Sequence, residues 1–161
     1  MRIEARLHAL GLTLPAPLRP PDGLAVPYVW VRIHKDRAYV AAHPPLNPDG
    51  TLAGPFGKVG ADVSLADAQA AARLAGLAML GSLQRALGDL DRVTAWLRVC
   101  GMVNAATDFT QPAHVLNAFS DLILELYGPE VGQHARTAVG VAVLSWDNPV
   151  VIEAEVEVSF A

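Results

Sequence analysis

An arginine among small residues is the most distinctive chemical feature of the sequence. Arg136 begins a predicted strand, and period-two alternation places Ala138 and Gly140 on the same side of it. Such small neighbours leave a hollow around the guanidinium, and burying that charge is costly unless an anion accompanies it. The planar guanidinium matches a carboxylate, so the pattern is compatible with a carboxylate-binding site. An intramolecular ion pair or an exposed edge-strand arginine would give the same pattern and is commoner.

Three glutamates in the last predicted strand are the candidate acid/base groups. Glu153, Glu155 and Glu157 alternate with apolar residues over positions 150–160, so they share one face of the strand. A row of this kind usually faces solvent. A glutamate beside Arg136 would instead be a general acid/base or would orient the arginine.

Other residue types that carry chemistry do not form a known motif. The sequence contains no G-x-S-x-G, H-E-x-x-H, P-loop or dinucleotide-binding fingerprint. Its five histidines lack metal-ligand spacing. The single cysteine, Cys100, is expected to be a small buried residue in a strand. We therefore expect neither a metal nor an organic cofactor.

Composition narrows the class of protein. The chain has 161 residues, 52% of them hydrophobic, with 12 Lys and Arg against 16 Asp and Glu and a net charge of −4. The apolar content excludes disorder, and the negative charge argues against a nucleic-acid groove. No apolar stretch reaches the roughly 18 residues of a membrane span, and residues 1–10 carry charges rather than a signal peptide.

The surplus of apolar residues predicts an oligomer. So few charges leave apolar surface that a subunit interface could cover. One cysteine forms no internal disulfide, which favours a reducing compartment. We therefore expect a cytoplasmic oligomer.

The elements form a single predicted domain over residues 1–161, in which residues 1–23 are an N-terminal extension made of a short helix and a proline-rich arm. Period-two alternation predicts strands at 28–34 and 38–42, followed by a long Pro- and Gly-rich loop at 43–61 that is either a binding loop or a hairpin tip. Capping signals predict a helix from Ser64 to Leu87, stopped by Gly88. A strand at 92–106, a helix from about Thr110 to Gly128-Pro129 and strands at about 136–144 and 150–160 complete the chain. This order gives an α+β fold with one mixed sheet and two helices on one face, and its other face needs a partner.

Several segments together resemble the RidA (YjgF-type) family, whose members are reactive intermediate deaminases and in older usage L-PSP endoribonucleases. The resemblance covers roughly residues 10–160. Within the family, the sequence is similar to the longer subgroup, whose members have an N-terminal extension. It is carried by these segments: Val26-Pro27-Tyr28-Val29, Leu46-Asn47-Pro48-Asp49-Gly50-Thr51-Leu52, Gly57-Lys58-Val59-Gly60-Ala61-Asp62, Leu87-Gly88-Asp89-Leu90-Asp91-Arg92-Val93, Asn117-Ala118-Phe119-Ser120-Asp121-Leu122, and His134 to Leu144 followed by Ile152-Glu153.

The resemblance implies a chorismate-mutase-like fold and a homotrimer with three clefts between subunits. It also implies hydrolysis of 2-imino acids or their enamine tautomers to 2-keto acids and ammonia, without a cofactor. Arg136 matches the arginine that holds the substrate carboxylate, Tyr28 an aromatic residue of the cleft and Asn117 a polar residue of the cleft. Ala138, on the arginine's side of the strand, joins the candidate substrate-binding residues. Backbone groups around Ala42 would orient the attacking water, and both Ala42 and His43 are candidate substrate-binding residues.

The sequence departs from the family pattern at three places, one of which is Thr137, where the family commonly has Ser or Ala. The family usually has Ser-Gly-Gln or Ser-Gly-His where this chain has Ala41-Ala42-His43, and an added methyl there changes the shape of the cleft. The family's catalytic glutamate matches Val151 in an ungapped comparison and Glu153 if the turn at 145–149 is two residues longer. We favour Glu153, which preserves the Ile-Glu pair. The rival functions are a non-catalytic trimer that binds small carboxylates and, against the negative charge, an endoribonuclease.

Overall fold

The computed structural model describes residues 2–160, and within them the chain forms three α-helices and five strands. These are α1 Arg2–Ala9, β1 Val31–His34, β2 Arg37–His43, α2 Leu65–Leu87, β3 Val93–Asn104, α3 Pro112–Gly132, β4 Ala135–Val141 and β5 Val150–Val158. Short 3-10 turns lie at Leu90–Arg92 and Ser145–Asp147. None of the helices in the described range combines the length and apolar character that a bilayer crossing needs.

The strands form one mixed sheet in the order β1-β2-β5-β3-β4. β3 and β4 pair in parallel, and the other neighbouring strands pair antiparallel. α2 and α3 pack on each other and on one face of this sheet, as the alternation in β5 shows: its apolar residues are buried on the helix side, while Glu153, Glu155 and Glu157 are on the other. The predicted α+β class with one mixed sheet is confirmed.

Local signals explain the long helix α2. Ser64 caps its first turn, because Ser64 Oγ accepts a hydrogen bond from the Asp67 amide at 3.1 Å. Gly88 ends it in the left-handed conformation, with φ of 79°. Both predicted bounds are therefore confirmed. Three fully buried alanines, Ala68, Ala72 and Ala75, bring this helix close to its neighbours.

The helix α3 runs further than the sequence predicts. The pattern ends it at Gly128-Pro129, whereas the structure continues it to Gly132 across a kink. Gly128 has a positive φ of 74° at the kink. Pro129 then starts another turn, where its missing amide hydrogen has no partner to lose.

The N-terminal segment packs on the rest of the chain. Ile3 and Leu7 of α1 are buried, and the Asp91 carboxylate accepts hydrogen bonds from the Arg2 and Ile3 amides. The arm that follows is tied to the 43–61 loop by main-chain hydrogen bonds, such as Ala16 N to Pro48 O at 2.9 Å. The division into a domain and an extension at residues 1–23 stays a prediction.

Candidate functional site

Arg136 lies on the helix-facing side of the sheet. In the parallel β3–β4 ladder Arg136 is opposite Val99, and Ala138 is opposite Gly101. Val99 and Gly101 are buried beneath α3. The side chain of Arg136 therefore meets α3 rather than the open face of the sheet.

Three neutral oxygens of α3 hold the guanidinium of Arg136. Nη1 donates to Ser120 Oγ at 3.0 Å, and Nη2 donates to Asn117 Oδ1 at 3.0 Å and to the Ala113 carbonyl at 3.2 Å. Within residues 2–160 no carboxylate forms an ion pair with this arginine. Two of the five guanidinium N–H groups remain available. The charge is thus oriented but not neutralised, and it can accept an anionic ligand.

A histidine completes the support of Arg136. Ser120 Oγ lies 2.9 Å from His134 Nε2, and His134 Nδ1 lies 2.7 Å from the Gly132 carbonyl oxygen. The carbonyl only accepts, so Nδ1 carries the proton and Nε2 accepts from the Ser120 hydroxyl. Burial, opposed by the bond to Gly132 and reinforced by the Arg136 charge, lowers the pKa of His134. The histidine is therefore neutral when it plays this role.

The sequence carries a signal for this support, which the prediction missed. Ala113, Asn117 and Ser120 follow i, i+4, i+7 spacing and therefore share one stripe of α3. Their small or polar character marks a helix face that packs on something other than apolar core. The prediction identified Asn117 but not Ser120 or His134.

Glu153 and Tyr28 lie on the opposite face of the sheet. Both line a cavity of about 540 Å³. Tyr28 is 53% exposed and packs edge-on against Trp30, with ring centroids 5.4 Å apart. Glu153 is exposed and pairs across the sheet with Cys100, whereas Val151 pairs with Met102 on the same face and does not line the cavity. Of the two candidate positions for a glutamate, the one that holds a carboxylate is at the cavity.

The cavity wall carries charges of both signs. Arg32 and Arg98 line it together with Glu153 and Glu155, and Glu155 forms an ion pair with Arg37. Burial and then the nearby Glu153 carboxylate raise the pKa of the Cys100 thiol. Cys100 therefore has little thiolate character at neutral pH. No sequence pattern predicts that Arg32 and Arg98 meet here, because their proximity depends on which strands pair.

Ala42 lies in a bulge of β2, and His43 resumes the pairing with β5 after it. The register with β5 shifts between Val40 and His43, so Ala41 and Ala42 leave the regular ladder. Ala41 lines the cavity. His43 is only 3% exposed, and both of its ring nitrogens are engaged, with Ala41 O and Ser82 Oγ. It therefore offers no free donor or acceptor to a ligand.

The predicted site residues thus separate into two groups. Arg136, Asn117 and Ala138 lie between β4 and α3, while Tyr28 and Glu153 lie on the open face of the sheet. A single chain does not bring Arg136 and Glu153 together. A site that uses both needs a second copy.

Comparison with known proteins agrees with the fold. Protein TCP17 of Trypanosoma cruzi is 39% identical over 158 residues, which cover 98% of this chain and 95% of that protein. The crystal structure of Atu1372 from Agrobacterium tumefaciens, of unknown function, is 36% identical with a TM-score of 0.86, covering 98% of this chain and 94% of that one. A “putative endoribonuclease” from Shewanella oneidensis is 27% identical with a TM-score of 0.88, covering 98% and 100%.

The family comparison covers nearly the whole chain. Residues 4–157 match the family described as “YjgF/chorismate mutase-like, putative endoribonuclease”. The match includes β1 to β4, all of β5 except its last residue, both long helices and every candidate site residue. The chain therefore belongs to the YjgF/RidA family, as the sequence resemblance predicted.

Proposed function

We propose that this protein hydrolyses 2-imino acids, or their enamine tautomers, to 2-keto acids and ammonia. The observation that carries the proposal is the guanidinium of Arg136, which three neutral oxygens orient and no described carboxylate neutralises. A substrate carboxylate supplies the missing negative charge through charge-assisted hydrogen bonds. The reacting C2 atom is then held at a fixed distance from the arginine.

The cleft is proposed to form between copies of the chain. β4 is an edge strand, with β3 as its one neighbour, and the open sheet face exposes large side chains such as Tyr39, at 46%, and Val139, at 40%. A homotrimer of the kind expected for the family would cover this face. It would also set the Arg136 region of one copy against the Tyr28–Glu153 cavity of the next.

The chemistry needs only positioning and proton transfer. An imine carbon is already electrophilic, so a water molecule attacks C2, and the Glu153 carboxylate takes one proton from that water and delivers it to the imine nitrogen, which gives a tetrahedral carbinolamine. Glu153 then takes the hydroxyl proton and passes it to the amino group, so that the C2–N bond breaks, ammonia leaves and the ketone forms. The backbone around Ala42 would orient the water.

The alternatives rest on fewer observations. A non-catalytic carboxylate binder would use the same Arg136 without needing Glu153. An endoribonuclease needs a surface for the phosphate backbone, whereas the net charge here is −4 and the cavity mixes Arg32 and Arg98 with two glutamates. The cytoplasm stays the expected location.

The test generates imino acids in situ with an amino-acid oxidase and follows 2-keto-acid release. We expect the wild type to accelerate release, and Arg136→Ala to lower kcat/KM roughly tenfold to hundredfold, the value of a charge-assisted pair. Arg73→Ala, which removes a partly exposed arginine paired with Glu125 on the helices, is the matched control. Absence of acceleration by the wild type would exclude the deaminase, and keto-acid binding without turnover would then identify a carboxylate-binding protein.

A further inference from the structure

A chain of hydrogen bonds joins the N-terminal arm to the bulge of β2. Arg85, near the end of α2, donates from Nη1 to the Pro15 carbonyl at 3.2 Å and from Nη2 to Ser82 Oγ at 3.0 Å. Ser82 Oγ lies 2.8 Å from His43 Nε2. His43 Nδ1 lies 2.6 Å from the Ala41 carbonyl oxygen. The bonds therefore connect the arm to a residue that lines the cavity.

The chemistry of the groups determines the donor and the acceptor of each of these hydrogen bonds. The Ala41 carbonyl only accepts, so His43 Nδ1 carries the proton and Nε2 is the acceptor. The Ser82 hydroxyl must then donate to Nε2, and its oxygen accepts from Arg85. From Arg85 Nη2 onwards the donors point towards Ala41, and hydrogen bonds aligned in this way strengthen one another. Arg85 Nη1 donates in the other direction, to the Pro15 carbonyl of the arm. Burial lowers the pKa of His43 to about 4, so the neutral form that this arrangement needs is present at pH 7.

The last of these hydrogen bonds, between His43 Nδ1 and the Ala41 carbonyl, holds a peptide group where the pairing of β2 with β5 is irregular. The Ala41 carbonyl and the Ala42 amide belong to one planar peptide, so holding the oxygen also sets the direction of the N–H. The ladder with β5 is interrupted between Val40 and His43. His43 therefore adds a constraint on this peptide at the wall of the cavity, beside the main-chain bond from Ala41 N to Trp30 O at 2.9 Å.

The residues packed around these hydrogen bonds leave space for them. A Cβ atom at Gly81 would lie 3.2 Å from Arg85 Nη1 and 3.3 Å from the Pro15 oxygen, closer than most such contacts. On the other side the Trp30 ring packs against His43, with centroids 5.0 Å apart. The imidazole is thus enclosed between Trp30 and α2.

We propose that Arg85, Ser82 and His43 are positioning residues that couple the N-terminal arm to the Ala41–Ala42 peptide in the proposed imine-hydrolysis site. The arm then sets the shape of the cleft instead of contacting substrate. The kinetic consequence rests on the proposed function, whereas the structural consequence does not.

The test compares Ser82→Ala and Arg85→Met with Arg73→Met, which removes a partly exposed arginine of the same helix that takes no part in these hydrogen bonds. We expect kcat to fall roughly tenfold to hundredfold in the first two variants, because the water-orienting peptide is displaced. KM should stay within about twofold, since Arg136 still holds the carboxylate. Arg73→Met should match the wild type in both constants.

Nuclear magnetic resonance provides a readout that is independent of activity. The wild type should show His43 as the Nδ1–H tautomer at pH 7, and the Ala42 amide resonance should move in Arg85→Met and Ser82→Ala but not in Arg73→Met. Arg85 is exposed, so its variant keeps the test open if Ser82→Ala does not fold. An unchanged Ala42 resonance in Arg85→Met, or an Nε2–H tautomer in the wild type, would overturn the proposal. If the wild type has no deaminase activity, the proposed function fails, and these spectra alone decide whether Arg85, Ser82 and His43 position the Ala41–Ala42 peptide.

Discussion

Two histidines in this protein have the same hydrogen-bonding arrangement. Each accepts from a serine hydroxyl through Nε2 and donates through Nδ1 to the carbonyl two residues before it, and each serine accepts from an arginine. One set is Arg85, Ser82 and His43, and the other is Arg136, Ser120 and His134. Both arrangements need a neutral imidazole, and burial favours that form in both. The histidines therefore orient other groups and are not themselves proposed to react.

The burial of His43 predicts a specific pH dependence of stability. Its pKa is lowered from 6.5 to about 4 in the folded chain, so its contribution is complete above pH 6.5 and is lost as the pH falls through 4. This loss corresponds to about 3 kcal/mol of the free energy of unfolding. Urea unfolding of the wild type and His43→Asn between pH 7 and pH 4 measures it, because the difference between the two proteins removes the contribution of the carboxylates. Parallel stability curves would contradict the assignment.

At the scale of elements, the approach of α3 to β3 positions the support of Arg136. A Cβ atom at Gly101 would lie 2.3 Å from Leu116 Cδ1 and Cγ, so a glycine is needed for the helix to sit this close. We expect Gly101→Ala to destabilise the fold by about 1–3 kcal/mol through overpacking. We also expect it to weaken carboxylate binding by Arg136, because Asn117 and Ser120, which orient the guanidinium, move with the helix. Thermal unfolding checks the first effect and the kinetics of keto-acid release the second.

The neighbouring residue provides the control for this substitution. Cys100 projects from the other face of β3, so Cys100→Ala leaves α3 in place and should change Tm much less. Equal effects of the two substitutions would show that α3 does not depend on Gly101.

Elements with a regular pattern or a capping signal were predicted well. Ser64 and Gly88 identified both ends of α2, and the alternation in β5 separated a buried apolar face from a row of glutamates. The first strand proved shorter than predicted, since β1 starts at Val31. Trp30 still bonds to β2, because its carbonyl accepts from the Ala41 amide at 2.9 Å.

The candidate site was harder to predict because it depends on contacts between elements. The large apolar residues of β4 are Val139 and Val141, which lie on the strand face opposite to Arg136. Hydrophobicity alone would therefore predict that the two valines face the core and that Arg136 faces solvent. The structure does the reverse, since the stripe of α3 above β4 is small and polar. The bulge at Ala41–Ala42 likewise has no local signal, because it arises from pairing with β5.

At the scale of the whole molecule, the open sheet face explains both the apolar composition and the separation of the site residues. Cys100, Met102 and Val139 share this face with Tyr39 and the glutamates of β5, and no described helix covers it. A ring of copies with identical head-to-tail contacts would bury the face and place Arg136 and Glu153 in one cleft.

The most direct test of a shared cleft mixes two inactive variants. Arg136→Ala and Glu153→Gln are each expected to lose most of the imine-hydrolysis activity, and subunits of the two, co-expressed or exchanged, combine at random within a trimer. About one cleft in four then receives an intact arginine from one copy and an intact glutamate from its neighbour, so the mixture should recover about a quarter of the wild-type activity. Mixed trimers, verified by native mass spectrometry, that remain as inactive as either variant alone would contradict this account.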